Sequence, residues 1–182
     1  LGAEACASGA TLLASELSAH RAALVEDSIT AVSARFPGSI RVDVGDSTEP
    51  REETFTRILL DAPCSGLGAL RRRPEARWTK DPESIPGLVE LQRALLRNGL
   101  RSLAPGGFLA YVTCSPVVEE TTEVVADVLA QTEGFSALDT PDIMGSVART
   151  TLQGHRRGTA AQLWTHRHGT DAMFVQLIRR DH

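Results

Sequence analysis

Residues 86–130, PGLVELQRALLRNGLRSLAPGGFLAYVTCSPVVEETTEVVADVLA, read as helix, strand and helix in succession. Between Pro86 and Leu103 the apolar side chains recur at three- and four-residue intervals, which predicts an amphipathic helix closed by Pro105-Gly106-Gly107. Phe108 to Val112 (FLAYV) is an unbroken apolar run of strand length, the pattern of a buried strand. Ser115-Pro116 then sets a capping side chain ahead of a proline, the residue favoured at the first helical position, and predicts a helix through Ala130.

The same alternation continues outward. Upstream, Thr56 to Leu60 (TRILL) predicts a strand ending at Asp61, and Ile40 to Val44 (IRVDV) one ending at Gly45-Asp46. Ala10 to Ser15 (ATLLAS) is an apolar run ending at Glu16, and Ser18 stands where an N-cap belongs. His20 to Arg35 carries Ala22, Leu24, Val25, Ile29 and Val32 at helical spacing until Phe36 and Pro37-Gly38. Leu1 to Ala7 reads as the tail of a further helix. Downstream, residues 139–160 have no clear period and are expected to form a mobile loop. Gln162 to Trp164 and Met173 to Ile178 predict two terminal strands joined by a polar turn. Strands alternating with helices predict an α/β fold, a mostly parallel, doubly wound sheet with helices on both faces.

Composition narrows the class. The chain has 182 residues, 42% hydrophobic and 23% charged, enough apolar material for one core, which excludes a disordered tail or a collagen-like fibre. The uncharged stretch Leu103 to Val118 is too short and too interrupted by proline and glycine to span a bilayer, and no basic segment precedes an apolar run as in a secretory signal. A net charge of −4 argues against a uniformly basic nucleic-acid binder but leaves local patches open. The three cysteines, Cys6, Cys64 and Cys114, are odd in number and far apart, unlike a disulfide framework or a zinc site, and fit a reducing, cytoplasmic compartment.

In an open parallel sheet, ligands bind beyond the carboxyl ends of the strands. Here Glu16, Asp46, Asp61 and Cys114 stand at four predicted strand ends, and Cys64 follows Asp61 by three residues. Each has a plain alternative: a carboxylate after a strand often caps the next helix, and a lone cysteine is usually a small buried hydrophobe. Recurrence at four ends points to one reactive crevice. Acidic residues ending adjacent strands commonly accept from ribose hydroxyls, and could take an adenine amino group, so Glu16 and Asp46 point to an adenosyl cofactor. Neither a G-x-G-x-x-G loop nor a P-loop occurs, so nothing supports NAD or ATP.

Two segments carry a resemblance. Residues 57–78 (RILLDAPCSGLGALRRRPEARW) and 111–116 (YVTCSP), with Pro105-Gly106-Gly107 and the tail Leu163-Trp164-Thr165-His166-Arg167-His168-Gly169-Thr170-Asp171, resemble the RNA cytosine-5 methyltransferases of the Sun/RsmB-like type. The resemblance runs from about Leu12 to Ile178. It implies a Rossmann-like methyltransferase sheet, S-adenosylmethionine as methyl donor, and cytosine in RNA, commonly ribosomal RNA, as acceptor. It implies that Cys114 is the nucleophile and that Cys64 assists release of the product. Glu16, Asp46 and Asp61 then bind the cofactor or lie beside it, and Asp61 can also hold the N3/N4 edge of the base. The chemistry gives both thiols work: a thiolate adding to C6 makes C5 nucleophilic, and a base must later remove the C5 proton so that the thiolate can leave. The predicted helix beginning after Cys114 would lower its pKa through the helix dipole, and Glu119 and Glu120 read as complements of that dipole. The family's first motif, a glycine-rich loop after a central first strand, has no match, so residues 1–182 read as a catalytic domain lacking its first strand and the family's upstream RNA-binding domain.

Arg71, Arg72, Arg73, Arg77 and Lys80 stand against Glu75 alone, a net +4 in an acidic chain, and read as a track for RNA phosphates. Trp78 reads equally as a base-stacking platform and as an anchor of the loop. His155, His166 and His168 lack a third ligand in register, so no metal is expected. Other readings stay open: a truncated, non-catalytic RNA-binding module of the same ancestry; a cysteine hydrolase, which needs a histidine beside a thiol; and an exchange of roles in which Cys64 attacks, as the P-C cysteine does in DNA cytosine-5 methyltransferases.

Overall fold

The computed structural model describes residues 2–182. The chain divides into two compact units, one ending at Glu49 and the other spanning Pro50–His182.

The first unit holds α1 (Gly2–Ala7), β1 (Leu12–Glu16), α2 (Ala19–Arg35) and β2 (Ile40–Val44). β1 and β2 pair in parallel, Glu16 opposite Val44, so Glu16 and the turn at Asp46 share the carboxyl edge. Ser18 caps α2, accepting from the N–H of Arg21, as its sequence position predicts. Ala22, Val25, Ile29 and Val32 form the covered side of α2; Leu24, counted with them on spacing, is 55% exposed. Only Cys6 and Ala22 are buried among the apolar residues described in this unit.

The second unit contains β3 (Phe55–Asp61), α3 (Ala76–Thr79), α4 (Ile85–Arg101), β4 (Leu103–Thr113), α5 (Thr122–Ala130), β5 (Phe135–Ala137), α6 (Thr140–Val147), β6 (Arg156–Arg157), β7 (Ala160–Gln162), α7 (Thr165–His168) and β8 (Phe174–Arg180). Its sheet runs β3-β4-β8-β7-β6, and β5 also pairs with β8. β3 and β4 are parallel, while every pairing of β8 is antiparallel. The sheet is therefore mixed rather than mostly parallel. Leu109, Tyr111, Phe174 and Ile178 face one side of it, and α4 and α5 cover that side with Val89, Leu96, Leu100, Val124 and Val128. The buried stripe of α4 recurs at helical spacing and includes one polar side chain, Gln92.

Three local expectations are corrected. Pro105-Gly106-Gly107 does not precede a strand but lies inside β4: pairing steps from Phe55–Leu103 to Arg57–Phe108, so a bulge absorbs the proline. The helix after Ser115-Pro116 begins at Thr122, because residues 116–121 form a separate turn. Within 139–160, α6 is a regular helix capped by Asp139, whose side chain accepts from the N–H of Asp142. Among the described residues no helix is long and apolar enough to cross a membrane.

Candidate active site

β3 and β4 run in the same direction and stop together, which brings the residues just beyond them to one edge. Asp61 ends β3, and the N–H of Ala62 donates to the carbonyl of Val112 (2.9 Å), carrying the pairing one step further. Thr113 ends β4 with Cys114 next. Phe174, opposite Thr113, begins β8, so the segment ending at Ala172 arrives at this edge too.

The loop 62–68 turns on two glycines. Gly66 adopts φ +71°, a backbone conformation that favours glycine. Gly68 donates its N–H to the carbonyl of Cys114 (2.9 Å), and its own carbonyl accepts from Ala172 (2.9 Å). A Cβ on Gly68 would stand 2.2 Å from the Ala172 oxygen and 2.7 Å from the Cys114 oxygen. Only a residue without a side chain lets three strands of backbone meet there.

This lacing sets the sulfurs of Cys64 and Cys114 3.5 Å apart, both partly exposed. Either sulfur can donate by geometry; with Cys114 ionised the Cys64 thiol is the donor, and that hydrogen bond is the largest cause lowering Cys114 to about 7. Desolvation and the charges of Asp61 and Asp171 push the other way. Cys64 is driven well above the ordinary thiol range by the same hydrogen bond, by burial and by the charge of Cys114. The helix dipole invoked from sequence is not the cause, since α5 starts eight residues after Cys114.

Glu120 is the largest surprise. The sequence reads it as a complement to a helix dipole; it lies ahead of α5 and is 0% exposed. Its Oε1 accepts from the Ser65 N–H (2.7 Å) and from Gln92 Nε2 (3.3 Å), and its Oε2 accepts from the hydroxyls of Ser65 and Ser115 (2.6 Å each). Glu119 is exposed. Gln92 also donates to the carbonyl of Pro63 (2.8 Å), and Tyr111 donates to the carbonyl of Glu120 (2.9 Å). Sequence reasoning missed Ser65, Gln92, Ser115 and Glu120. A polar glutamine on the apolar stripe of α4 is the one signal that pointed to a buried partner.

In the first unit, Glu16 Oε1 accepts from the Ser18 N–H (2.9 Å) and pairs with Arg21 Nη2 (2.7 Å). Asp46 Oδ1 accepts from the N–H and hydroxyl of Thr48 (2.8 and 2.7 Å). These contacts hold both carboxyl groups below the usual carboxylate range, the Ser18 N–H first for Glu16 and the Thr48 N–H first for Asp46.

The basic loop is not uniform. Arg72 donates from Nε (2.8 Å) and Nη2 (2.5 Å) to Oδ2 of Asp171, and Arg71 Nε lies 3.9 Å from the same carboxylate. Arg73 and Lys80 are exposed with no ion pair among the described residues, and Arg77 lies over the ring of Trp78 at 5.8 Å. Trp78 is 84% exposed, so it does not anchor the loop. His168 bonds the backbone of Trp164 and Gln153, and His155 that of Pro141. Among the described residues no histidine bonds either sulfur, which removes support from the hydrolase reading, and no group of three or more ligating side chains could hold a metal.

Residues 3–179 match the family described as 16S rRNA methyltransferase RsmB/F. A putative methyltransferase of Mycobacterium tuberculosis, Rv1407, is 45% identical over 94% of this chain and 35% of its own length. The probable ribosomal RNA small subunit methyltransferase B of Bacillus subtilis is 30% identical over 91% of the chain and 36% of its own length. The chain thus spans about a third of these relatives. NSun6 from Pyrococcus horikoshii, solved with SFG, shares the fold with a TM-score of 0.76 at 22% identity, over 93% of this chain and 41% of that one. With nearly its whole length matched, the chain belongs to the 16S rRNA methyltransferase RsmB/F family.

Proposed function

We propose that this chain is part of an enzyme that methylates C5 of a cytosine in RNA, with ribosomal RNA as the acceptor, through a covalent adduct between Cys114 and C6. The observation carrying this reading is the pair of sulfurs 3.5 Å apart at the carboxyl edge of β3 and β4, one thiol lowered to about 7 and the other raised. Family membership adds the RNA methyltransferase class.

The residues fit an adenosyl cofactor in one respect: Glu16 ends β1 and Asp46 follows the end of β2, its parallel partner, so two carboxylates that can accept from hydroxyl or amino donors share one edge. S-adenosylmethionine supplies the methyl group. Cys114, ionised near neutral pH, adds to C6 of the ring and shifts an electron pair to C5, which makes C5 nucleophilic. Asp61 lies at the same edge, exposed, and can accept from the exocyclic amine of the base. After methylation a base takes the C5 proton, the C5–C6 double bond re-forms and the sulfur leaves as thiolate. Cys64 suits this second half. While Cys114 is ionised, its hydrogen bond and charge hold the proton on Cys64. Once Cys114 is bonded to carbon its charge is gone, so Cys64 can release its proton to solvent and, as thiolate, take the C5 proton, becoming a thiol again as Cys114 leaves as thiolate.

Residues 1–182 are then read as part of the catalytic domain. Among the described residues, β1 pairs only with β2 and β3 only with β4, so each has an edge that can take a further strand.

The test uses the full-length protein and RNA carrying 5-fluorocytosine. Cys114→Ala is expected to abolish methylation and the covalent adduct, whereas Cys64→Ala leaves the adduct trapped on ordinary cytosine RNA. The reverse pattern makes Cys64 the attacking group and overturns this assignment of roles.

A further inference from the structure

The loops carrying the two cysteines are tied by one side chain whose hydrogen bonds go to neither sulfur. Ser65 follows Cys64 and Ser115 follows Cys114 in sequence, and both hydroxyls donate to the same oxygen of Glu120 at 2.6 Å. The hydroxyl oxygens stand 3.4 Å apart, close to the 3.5 Å between the sulfurs themselves. The serine pair therefore repeats the cysteine pair one residue further along each loop. All three side chains are buried, Ser65 at 2% and Ser115 and Glu120 at 0% exposure.

Each remaining bond removes a way for the clamp to slip. The second oxygen of Glu120 takes the Ser65 N–H, so the Cys64 loop is held by backbone as well as side chain. Gln92 bridges this carboxyl group to the carbonyl of Pro63, on the other side of Cys64. Ser115 Oγ also accepts from the N–H of Val117 (3.1 Å), which starts the turn that returns the chain to Glu120. Thr121, fully buried, donates from Oγ1 to the carbonyl of Val117 (2.6 Å) and closes that turn. Tyr111 fixes the Glu120 carbonyl from β4. The turn in place of a helix after Ser115-Pro116 is thus what carries a carboxyl group back between the two loops.

We propose that Glu120 is a positioning residue: by accepting both serine hydroxyls at one oxygen, it holds the two cysteine loops at the separation that lets Cys64 donate its hydrogen bond to Cys114. The proposal rests on the two-thiol reading above for its effect on catalysis, but its geometric claim can be tested without RNA. A clamp of this kind acts on the chemical step. Loosening it lengthens the sulfur–sulfur contact, removes the largest cause of the raised acidity of Cys114, and leaves the opposing charges of Asp61 and Asp171 in place. Arg72, held by Asp171, is a cation whose charge also interacts with that of Cys114.

The readout is the pH profile of Cys114 alkylation by iodoacetamide in the full-length protein, located by mass spectrometry, beside steady-state kinetics on RNA. Glu120→Ala is expected to move the alkylation midpoint upward by about one pH unit or more, toward an ordinary thiol. It should also lower kcat by about tenfold or more with KM for RNA within about twofold, the mark of a lost transition-state arrangement. Glu120→Gln, which keeps the volume and can still bridge both loops, is expected to restore most of both. If Glu120→Ala does not fold, Ser115→Ala, which deletes one oxygen, serves in its place with the same direction of shift. A folded Glu120→Ala or Ser115→Ala protein with an unchanged midpoint and unchanged kcat overturns the proposal. Failure of the wild-type protein to form an adduct with RNA would instead sink the two-thiol mechanism, and the alkylation comparison would still decide the role of Glu120.

Discussion

At Cys114 the sign of each neighbour is fixed, so its chemistry can be predicted from contacts. The Cys64 hydrogen bond favours the thiolate, while burial and the charges of Asp61 and Asp171 oppose it. Methylation is therefore expected to rise with pH through about 7, as Cys114 ionises, in a kcat/KM profile of the wild-type enzyme. Cys64→Ala removes the one large favourable contribution, so the alkylation midpoint of Cys114 moves up in that variant; a midpoint still near 7 would mean that another group stabilises the thiolate. The two cysteines were legible in the sequence because each sits in a recognisable motif just past a strand. Glu120 was not, because its role depends on where two serines lie in space, and a glutamate a few residues ahead of a helix looks the same in sequence whether it is buried or exposed.

At the level of elements, Gly68 and the loop 71–80 give separate tests. Gly68→Ala forces a Cβ into two carbonyl oxygens, one of them that of Cys114, and is expected to cost about 1–3 kcal/mol in a denaturant titration, as overpacking does. Retained stability would mean that the backbone moves aside. In the loop, Arg72 and Arg71 are engaged with Asp171, so Arg73, Arg77 and Lys80 are the cations best placed to meet phosphates. Changing those three to Ala is expected to weaken RNA binding and flatten the plot of log affinity against log salt by up to about three slope units, near one per lost phosphate contact. An unchanged slope returns the loop to an ordinary solvated surface. β2 and the cap of α2 followed from sequence because alternation and capping are local. The start of α5 did not: Ser115-Pro116 satisfies the local rule for a helix start, but Ser115 spends its hydroxyl on Glu120 and Val117 instead. Likewise Pro105 ends a helix in sequence logic, whereas in the sheet a bulge admits it.

Across the whole molecule, burial is unevenly shared. Among the described residues, the first unit buries two apolar side chains and the second a continuous cluster centred on β4, α4 and α5. In the 182-residue chain, amides of β1 and β2 are expected to exchange with solvent at least about 100-fold faster than those of β4 and β8, which open only with the core. Equal protection would show that β1 and β2 share the cooperativity of the larger core. The α/β class was readable from the order of elements, since alternation survives errors at any one boundary. The antiparallel pairing of β8 was not, because strand direction depends on long-range register that composition does not record.

The sulfur–sulfur contact of 3.5 Å also makes the pair a dithiol poised for oxidation. Hydrogen peroxide that removes one proton and one electron from each thiol leaves a single S–S bond and two molecules of water, and the attacking group is then missing along with its partner. Mild peroxide treatment is thus expected to silence the enzyme with a mass loss of about 2 Da confined to Cys64 and Cys114, reversed by dithiothreitol. The arrangement proposed for methyl transfer would thus tie that activity to the reducing power of its surroundings.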